Sequence, residues 1–329
     1  MLKDIDLNDP TTKALYDTYP EDRKDEFEDA YAYLKHVSLG IGTIKSLVMP
    51  DVPMSDRIKK SIKDASPELI DKFTQYTDKY KKGFAGGRET SFYNAKIIDL
   101  KEAIKFVTLD VDVDLEVPTT VIPFKLAREI VLDDNPTIAI GKCGCRNAMP
   151  EDEVKCLPYP YEACMFIGDP AASFIAEHGD MFRKIDSEEA VRILENFHER
   201  GFTHQAYFKT DCNGFYAICN CCSCCCPSVN RINMVLDGAM PFTNVVGSGL
   251  VAVIGDECIG CGECVEQCKY HAINLNEDED RSEIIFERCM GCGVCVAQCP
   301  TEVITMRAEP SKGGVLDLDE LRKATETRV

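Results

Sequence analysis

The sequence is poor in basic residues and in long apolar runs. Its 329 residues contain 37 Lys and Arg against 56 Asp and Glu, which gives a net charge of −19. This acidity disfavours nucleic acid and anionic membrane surfaces as partners and suits docking on the basic patches of other proteins. No apolar run approaches the roughly 18 residues that a membrane-spanning helix needs, and the first residues lack the basic and apolar regions of a signal peptide. We therefore expect a cytoplasmic protein without a membrane span.

Cysteine is absent from residues 1–110, yet the whole chain contains 19 of them. So many cysteines can indicate a secreted scaffold held by disulfides. The length of the chain, the missing signal peptide and the spacing of the cysteines argue against that class. We expect a reducing cytosol instead.

The distribution of patterns divides the chain into four parts and predicts an α+β fold. A chain of this length suggests two or three domains. We expect an N-terminal helical region over 1–110, a cysteine-rich α+β module over 111–248, a second cysteine-containing domain over 249–308 and a tail over 309–329.

Apolar periodicity predicts the secondary structure of the first two parts. Helices are predicted over 21–49, from about Ser55 and from Pro67. Later patterns predict, in order, a strand over 111–117, a helix over 124–132, a strand over 137–140, a helix over 186–200 and strands over 202–208 and 214–219.

Two cysteine runs near the C-terminus share one internal spacing. They read Cys258-x2-Cys261-x2-Cys264-x3-Cys268 and Cys289-x2-Cys292-x2-Cys295-x3-Cys299-Pro300. This is the bacterial run that holds a cubic iron–sulfur cluster. Each run contains two glycines, which let a short loop curl around an inorganic core. CxxC pairs also bind zinc, but a doubled pattern of eight cysteines with this spacing favours clusters.

Residues 250–306 thus resemble the two-[4Fe-4S] bacterial ferredoxins, in which the fourth Cys of each run ligates the other cluster. The resemblance assigns one cluster to Cys258, Cys261, Cys264 and Cys299, and the other to Cys289, Cys292, Cys295 and Cys268. One position departs from the family, because Lys269 follows the first run where a proline is usual. That residue shapes a turn and is not a ligand, so cluster binding is still expected.

Eleven further cysteines precede the ferredoxin runs: Cys143, Cys145, Cys156, Cys164, Cys212, Cys219, Cys221, Cys222, Cys224, Cys225 and Cys226. Six thiols within eight residues have few uses other than binding metal. Successive side chains of an extended backbone point to opposite faces. An extended run would therefore place Cys219, Cys221 and Cys225 on one face, and Cys222, Cys224 and Cys226 on the other, whereas a turn at Ser223 would change this division. The cysteines between 143 and 164 could then complete one or both sites.

Several readings of this module stay open at the level of sequence. A zinc site with four thiolate ligands competes with a further iron–sulfur cluster, whereas disulfides between adjacent cysteines are strained and disfavoured in cytosol. Arg146 could neutralise thiolate charge or donate a hydrogen bond to sulfur. Cys212 could be an unligated core thiol, and His178 and His204 are expected to be structural rather than ligands.

The Cys143-Gly-Cys145-Arg146 run and the CNCCSCCC run over 219–226 carry a second resemblance, over 120–306. It is to anaerobe iron–sulfur proteins in which such a module precedes a two-cluster ferredoxin domain. The resemblance implies cluster binding in anaerobic redox metabolism. We expect electron transfer to redox partner proteins, with two [4Fe-4S] clusters and at least one more in the upstream module. The alternative is a reductase with its active site at the upstream cluster, and a redox sensor ranks last.

Overall fold

The computed structural model describes residues 4–48, 53–85, 93–123, 129–209 and 214–326. A nine-stranded, mostly antiparallel sheet is packed between helices, and two small two-stranded sheets follow it. These elements confirm the α+β class predicted from the sequence. None of the helices within these ranges is long and apolar enough to cross a membrane.

Five helices come first: α1 Pro10–Asp17, α2 Lys24–Lys35, α3 Val37–Val48, α4 Asp56–Asp64 and α5 Pro67–Ala85. Helices were predicted at the positions of α4 and α5, and the Ser55 side chain caps α4 by accepting the Ile58 N–H. The single helix predicted over 21–49 is wrong. His36 has φ −129° and ψ 46°, which interrupts the helix between α2 and α3. The apolar spacing continues across the break, so the pattern alone did not reveal it.

The central part contains β1 Tyr93–Ile98, α6 Leu100–Val107, β2 Val113–Glu116, β3 Glu129–Leu132, β4 Ile138–Lys142, α7 Gly144–Asn147, β5 Glu162–Ile167, α8 Ala171–His178, β6 Phe182–Ile185, α9 Ser187–Glu199, β7 Thr203–Lys209, β8 Gly214–Cys221, α10 Pro227–Leu236 and β9 Val245–Val246. The main path of the sheet is β6-β4-β5-β8-β7-β1-β9, and β3 joins β8 and β2 beside it. Strand β1 belongs to this sheet although it lies within the otherwise helical first 110 residues.

The predicted strands and the helix at 186–200 are confirmed by β2, β4, β7, β8 and α9. The Asp186 side chain accepts the Glu189 N–H and so starts α9 as the sequence indicated. The helix predicted over 124–132 is wrong for its second half. Residues 129–132 form β3, which pairs antiparallel with β2, and 124–128 lie outside the described residues. Pairing with a neighbouring strand outweighs the local helical spacing there.

The C-terminal part contains β10 Leu250–Ile254, α11 Glu263–Gln267, β11 Ile273–Asn276, β12 Arg281–Ile284, α12 Val294–Ala297, β13 Ile304–Ala308 and α13 Leu318–Glu326. Strand β10 pairs with β13, and β11 pairs with β12, both antiparallel. After β13 the chain returns to the central part, where Leu316 and Leu318 are buried.

The two faces of the large sheet are covered by different elements. One face packs against the N-terminal helices and the ferredoxin-like part, in a core that includes Phe27, Phe166 and Ile273. The other face packs against α6, α9 and the start of α13, around Phe106 and Leu194. The cysteine-rich strands therefore lie with the N-terminal helices on one side and the ferredoxin-like part close by.

Helix α3 contains glycine because it packs closely on its neighbours. A Cβ on Gly40 would lie 2.8 Å from Phe73 Cε1, and one on Gly42 would overlap Ile58 Cγ2. Alanine would favour a helix by about 1 kcal/mol over glycine at an open position. The close packing of α3 on α4 and α5 reverses that preference.

We predict that Gly42→Ala destabilises the protein by about 1–3 kcal/mol, because the added methyl group overpacks the contact with Ile58. The measurement is the thermal midpoint of the anaerobic protein. Lys60→Ala, on the exposed side of α4, is the control and should change little. An unchanged or higher midpoint for Gly42→Ala would show that α3 and α4 are not packed as described.

Candidate metal centres

The cysteine run that ends β8 is divided by a turn. The strand ends at Cys221, residues 223–225 form the turn, and α10 starts at Pro227. Proline suits the first position of a helix, since its missing N–H is not needed there. The prediction that alternate cysteines share a face is therefore wrong for two of them. Cys226 lies with Cys219 and Cys221, and Cys225 lies with Cys222 and Cys224.

Four thiols meet just beyond the strand, and we call them the four-thiol site: Cys156, Cys222, Cys224 and Cys225. Their Sγ atoms all lie within 4.8 Å of one another. The Sγ–Sγ distances are 3.6 Å from Cys222 to Cys156 and 3.7 Å from Cys156 to Cys225. Cys224 lies 3.2 Å from both Cys222 and Cys225. One residue from the loop before β5 thus joins three from the turn after β8.

Arg146 lies against the four-thiol site and is 2% exposed. Its Nε donates to Cys156 Sγ at 3.2 Å, and its Nη2 donates to Cys222 Sγ at 3.4 Å and to the Asn220 carbonyl at 3.0 Å. Contact with Cys156, Cys224 and Cys225, together with the charge of Arg146, holds the pKa of Cys222 far below its usual value. A buried guanidinium needs an anion beside it, and here the sulfur atoms can supply it.

Six other thiols surround one cavity of about 50 Å³ and form what we call the six-thiol site: Cys143, Cys145, Cys164, Cys219, Cys221 and Cys226. Neighbouring thiols interact around the cavity in the order Cys145, Cys143, Cys164, Cys219, Cys221 and Cys226. Contact with the neighbouring Cys221 thiol, together with burial, raises the pKa of Cys226 well above its usual value. Without a bound cation, few of these six thiols can therefore be deprotonated at the same time.

The large sheet and the N-terminal helices build the six-thiol site together. Cys164 of β5 and Cys219 of β8 are direct partners in the antiparallel ladder. Cys143 and Cys145 follow β4, which pairs with β5. Tyr33 of α2 and Ile41 of α3 line the cavity from the opposite side. The helical region therefore closes the site, which the sequence did not reveal.

In the ferredoxin-like part, both cysteine loops turn at glycines. Gly260 and Gly291 have φ of +64° and +70°, which glycine adopts without strain. Backbone amides face the sulfur atoms: Ala272 donates to Cys268 Sγ at 3.2 Å, and Ser282 donates to Cys258 Sγ at 3.5 Å. Such N–H···S bonds stabilise thiolate and set cluster potential. The loops therefore fit the clusters that their spacing indicated.

The thiols of the two cysteine runs lie within electrostatic reach of one another, and their division into two ligand sets stays a prediction. Burial, reinforced by Cys268 and Cys289, raises the pKa of Cys292 to about 12. Cys295 has Cys292, Cys289, Cys268 and Cys264 among its electrostatic neighbours, so members of both predicted sets lie near it. Cys264 is likewise close to Cys258 and Cys261. The Cys299 sulfur forms hydrogen bonds with the Thr301 side chain and with nearby backbone amides. Its role as the fourth ligand stays a prediction.

The two histidines considered in the sequence analysis, His178 and His204, contact polar side chains. His204 is buried, its Nδ1 lies 2.8 Å from Asn220 Oδ1, and burial lowers its pKa to about 3. His178 Nε2 lies 3.0 Å from both Asp9 Oδ2 and the Thr11 hydroxyl. Cys212 lies outside the described residues.

The sequence analysis missed Tyr270, which is 1% exposed and donates to Thr203 Oγ1 at 3.2 Å. The available signal was its position two residues after Cys268.

Comparison with protein families bears on the C-terminal cysteines. Residues 257–303 match the model of the 4Fe-4S dicluster domain. The matched segment contains all eight cysteines of the two runs. It supports iron–sulfur binding by this part of the chain, which we call the dicluster domain. Searches of curated proteins and of solved structures found no match.

We predict that Cys268→Ala and Cys292→Ala abolish the same electron paramagnetic resonance (EPR) signal of the reduced protein, whereas Cys264→Ala abolishes the other. Each variant should lose about four irons per chain if its cluster is lost. Met290→Leu, between two ligands, is the control and should retain both signals. If Cys268→Ala and Cys264→Ala removed the same signal, the crossed ligand sets would be wrong.

Proposed function

We propose that the chain is an iron–sulfur electron-transfer protein of anaerobic metabolism. In this proposal, electrons pass between two ferredoxin-type cubanes in the dicluster domain and a further cluster at the six-thiol site. The observation that carries it is the position of Tyr270. This buried side chain follows Cys268 of the dicluster domain by two residues, and its hydroxyl donates to Thr203, which pairs with Cys221 of the six-thiol site across β7 and β8.

A continuous core supports the connection between the two sites. Tyr270, Cys289 and Cys264 of the dicluster domain belong to the same buried cluster as Cys221 and Cys226. The Tyr270 hydroxyl donates to Thr203 in the central sheet, so the ring is held between the domains. Packed protein atoms couple redox centres better than water does. A connection of this kind suits a carrier with centres in both domains.

The chain supplies the ligands and the environment, and bound clusters supply one-electron chemistry. The cysteines of the dicluster domain provide thiolates on short glycine-containing loops. Amides of Ala272 and Ser282 donate to sulfur, and two of the eight cysteines, Cys264 and Cys289, are buried. Hydrogen bonds to sulfur and limited solvent access are the means by which a protein adjusts the reduction potential of a cluster.

The surface charge supports a role with protein partners. A net charge of −19 attracts proteins with basic docking patches and speeds their encounter at low ionic strength. The proposal therefore includes redox partner proteins in the cytoplasm. Nucleic acid does not fit this charge.

We predict that anaerobically purified protein contains more than the about eight irons that two cubanes require, and about twelve with one further cubane. Cys219→Ser should lose the additional iron and sulfide, because it removes a ligand from the six-thiol site, while the EPR signals of the dicluster domain persist. Tyr207→Phe is the control, since Tyr207 lines the same cavity without offering a thiolate. Iron that stays near eight, with zinc at the upstream thiols, would refute the additional cluster.

We further predict that Tyr270→Leu slows reduction of the upstream centre, because the shorter side chain leaves a void between the two domains. Tyr270→Phe keeps the ring and should keep the rate, losing about 1 kcal/mol of stability with the hydrogen bond to Thr203. The measurement is rapid-freeze EPR after mixing with a reduced bacterial ferredoxin. Equal rates in all three proteins would show that electrons do not pass by Tyr270.

A further inference from the structure

We propose that the four-thiol site binds one metal ion, zinc or iron(II), as a mononuclear tetrathiolate centre without inorganic sulfide. It is separate from the six-thiol site and from the dicluster domain. The inference does not depend on the proposed electron transfer, because such a centre can be structural as well as redox-active.

The spacing of the four sulfur atoms carries the proposal. With a metal–sulfur bond of about 2.3 Å, a regular tetrahedron places its sulfur atoms about 3.8 Å apart. The Sγ–Sγ distances given above run from 3.2 to 3.7 Å. A single ion fits between them after a small expansion. The four irons and four sulfides of a cubane do not fit between these sulfur atoms. The thiolates of a cubane bind different irons and therefore lie farther apart.

The other thiols of the chain provide an internal comparison. Among the residues that the structure describes, the four-thiol site is the only group of three or more cysteines whose Sγ atoms all lie within 4.8 Å of one another. The eight thiols of the dicluster domain are all described, and they do not form such a group. Nor do the six thiols around the cavity. The four-thiol site therefore differs in kind from the places where clusters are expected.

The charge of Arg146 is the second, independent observation. Four thiolates and one divalent ion carry a net charge of −2. Arg146 is buried and directs its Nε and Nη2 to Cys156 and Cys222, so it offsets part of that charge. Donors of this kind orient ligands and tune metal sites.

The local backbone holds the ligands in place and leaves a route for the metal. The Cys156 carbonyl accepts a bond from Arg200 Nη2 at 2.7 Å, at the end of α9. The other three ligands lie in or beside the turn after β8. Cys224 is exposed whereas Cys222 and Cys225 are buried, so an ion can enter past Cys224. Binding would tie the loop before β5 to the end of β8.

The test compares metal and acid-labile sulfide in the full chain and its variants, all purified without oxygen. We expect Cys224→Ser to lose about one zinc or iron per chain and no sulfide. Elemental analysis distinguishes the two metals. Ser223→Ala, the neighbouring position in the same turn, should retain the full metal content. Cys219→Ser at the six-thiol site provides the contrast, since loss of a cluster removes sulfide together with iron.

Loss of several irons and sulfides from Cys224→Ser, with the six-thiol site intact, would overturn the proposal in favour of a cluster. So would wild-type protein in which these four thiols titrate freely or form a disulfide. If the variant does not fold, X-ray absorption on the wild type decides. At the zinc edge, or after cobalt replaces the ion, we expect four sulfur neighbours at about 2.3 Å and no nearby metal; a metal–metal distance would refute the assignment.

Discussion

The end of strand β8 is the constraint on which the arrangement of the upstream thiols depends. A strand that continued past Cys221 would have alternated its side chains regularly between two faces. The chain turns at 223–225 instead and starts α10 at Pro227. The turn directs Cys222, Cys224 and Cys225 toward the loop that contains Cys156. Cys226, the residue just before α10, lines the cavity with the other thiols. One change of backbone direction thus separates two centres within eight residues.

The large sheet and the N-terminal helices explain why the six-thiol site is so well buried. Strand pairing sets Cys164 opposite Cys219, and the segment after β4 adds Cys143 and Cys145. Helix α3 then packs so closely that a Cβ on Gly144 would overlap Ile41 Cδ1. Glycine between the two cysteines therefore leaves room for the Ile41 side chain. The helical region, whose sequence contains no cysteine, covers one side of the cavity through Tyr33 and Ile41.

The sequence predicted the features that depend on local spacing. The eight cysteines of the dicluster domain lie in two short loops, so their spacing alone identified the cluster motif, and the family match covers the same segment. The division of the upstream cysteines could not be predicted, because it depends on a turn and on Cys156, which lies 66 residues from Cys222. The exchange of Cys225 and Cys226 follows from that turn. Tyr270 was missed for a similar reason, since its importance comes from Thr203 and the cavity beyond it.

The dicluster domain makes specific side-chain contacts with the central part of the chain. Arg288 pairs with Asp237 at 2.7 Å, and Gln298 donates to the Glu199 carbonyl at 2.8 Å. Asn233 of α10 donates to the carbonyl of Lys269 at 2.9 Å, so the position where related ferredoxins usually have proline lies in this interface. The turn after the first cysteine run is shaped to meet α10, which starts at the end of the upstream cysteine run. If electrons pass between the two parts, as proposed, the path has a fixed length, and only the encounter with an outside partner depends on diffusion and charge.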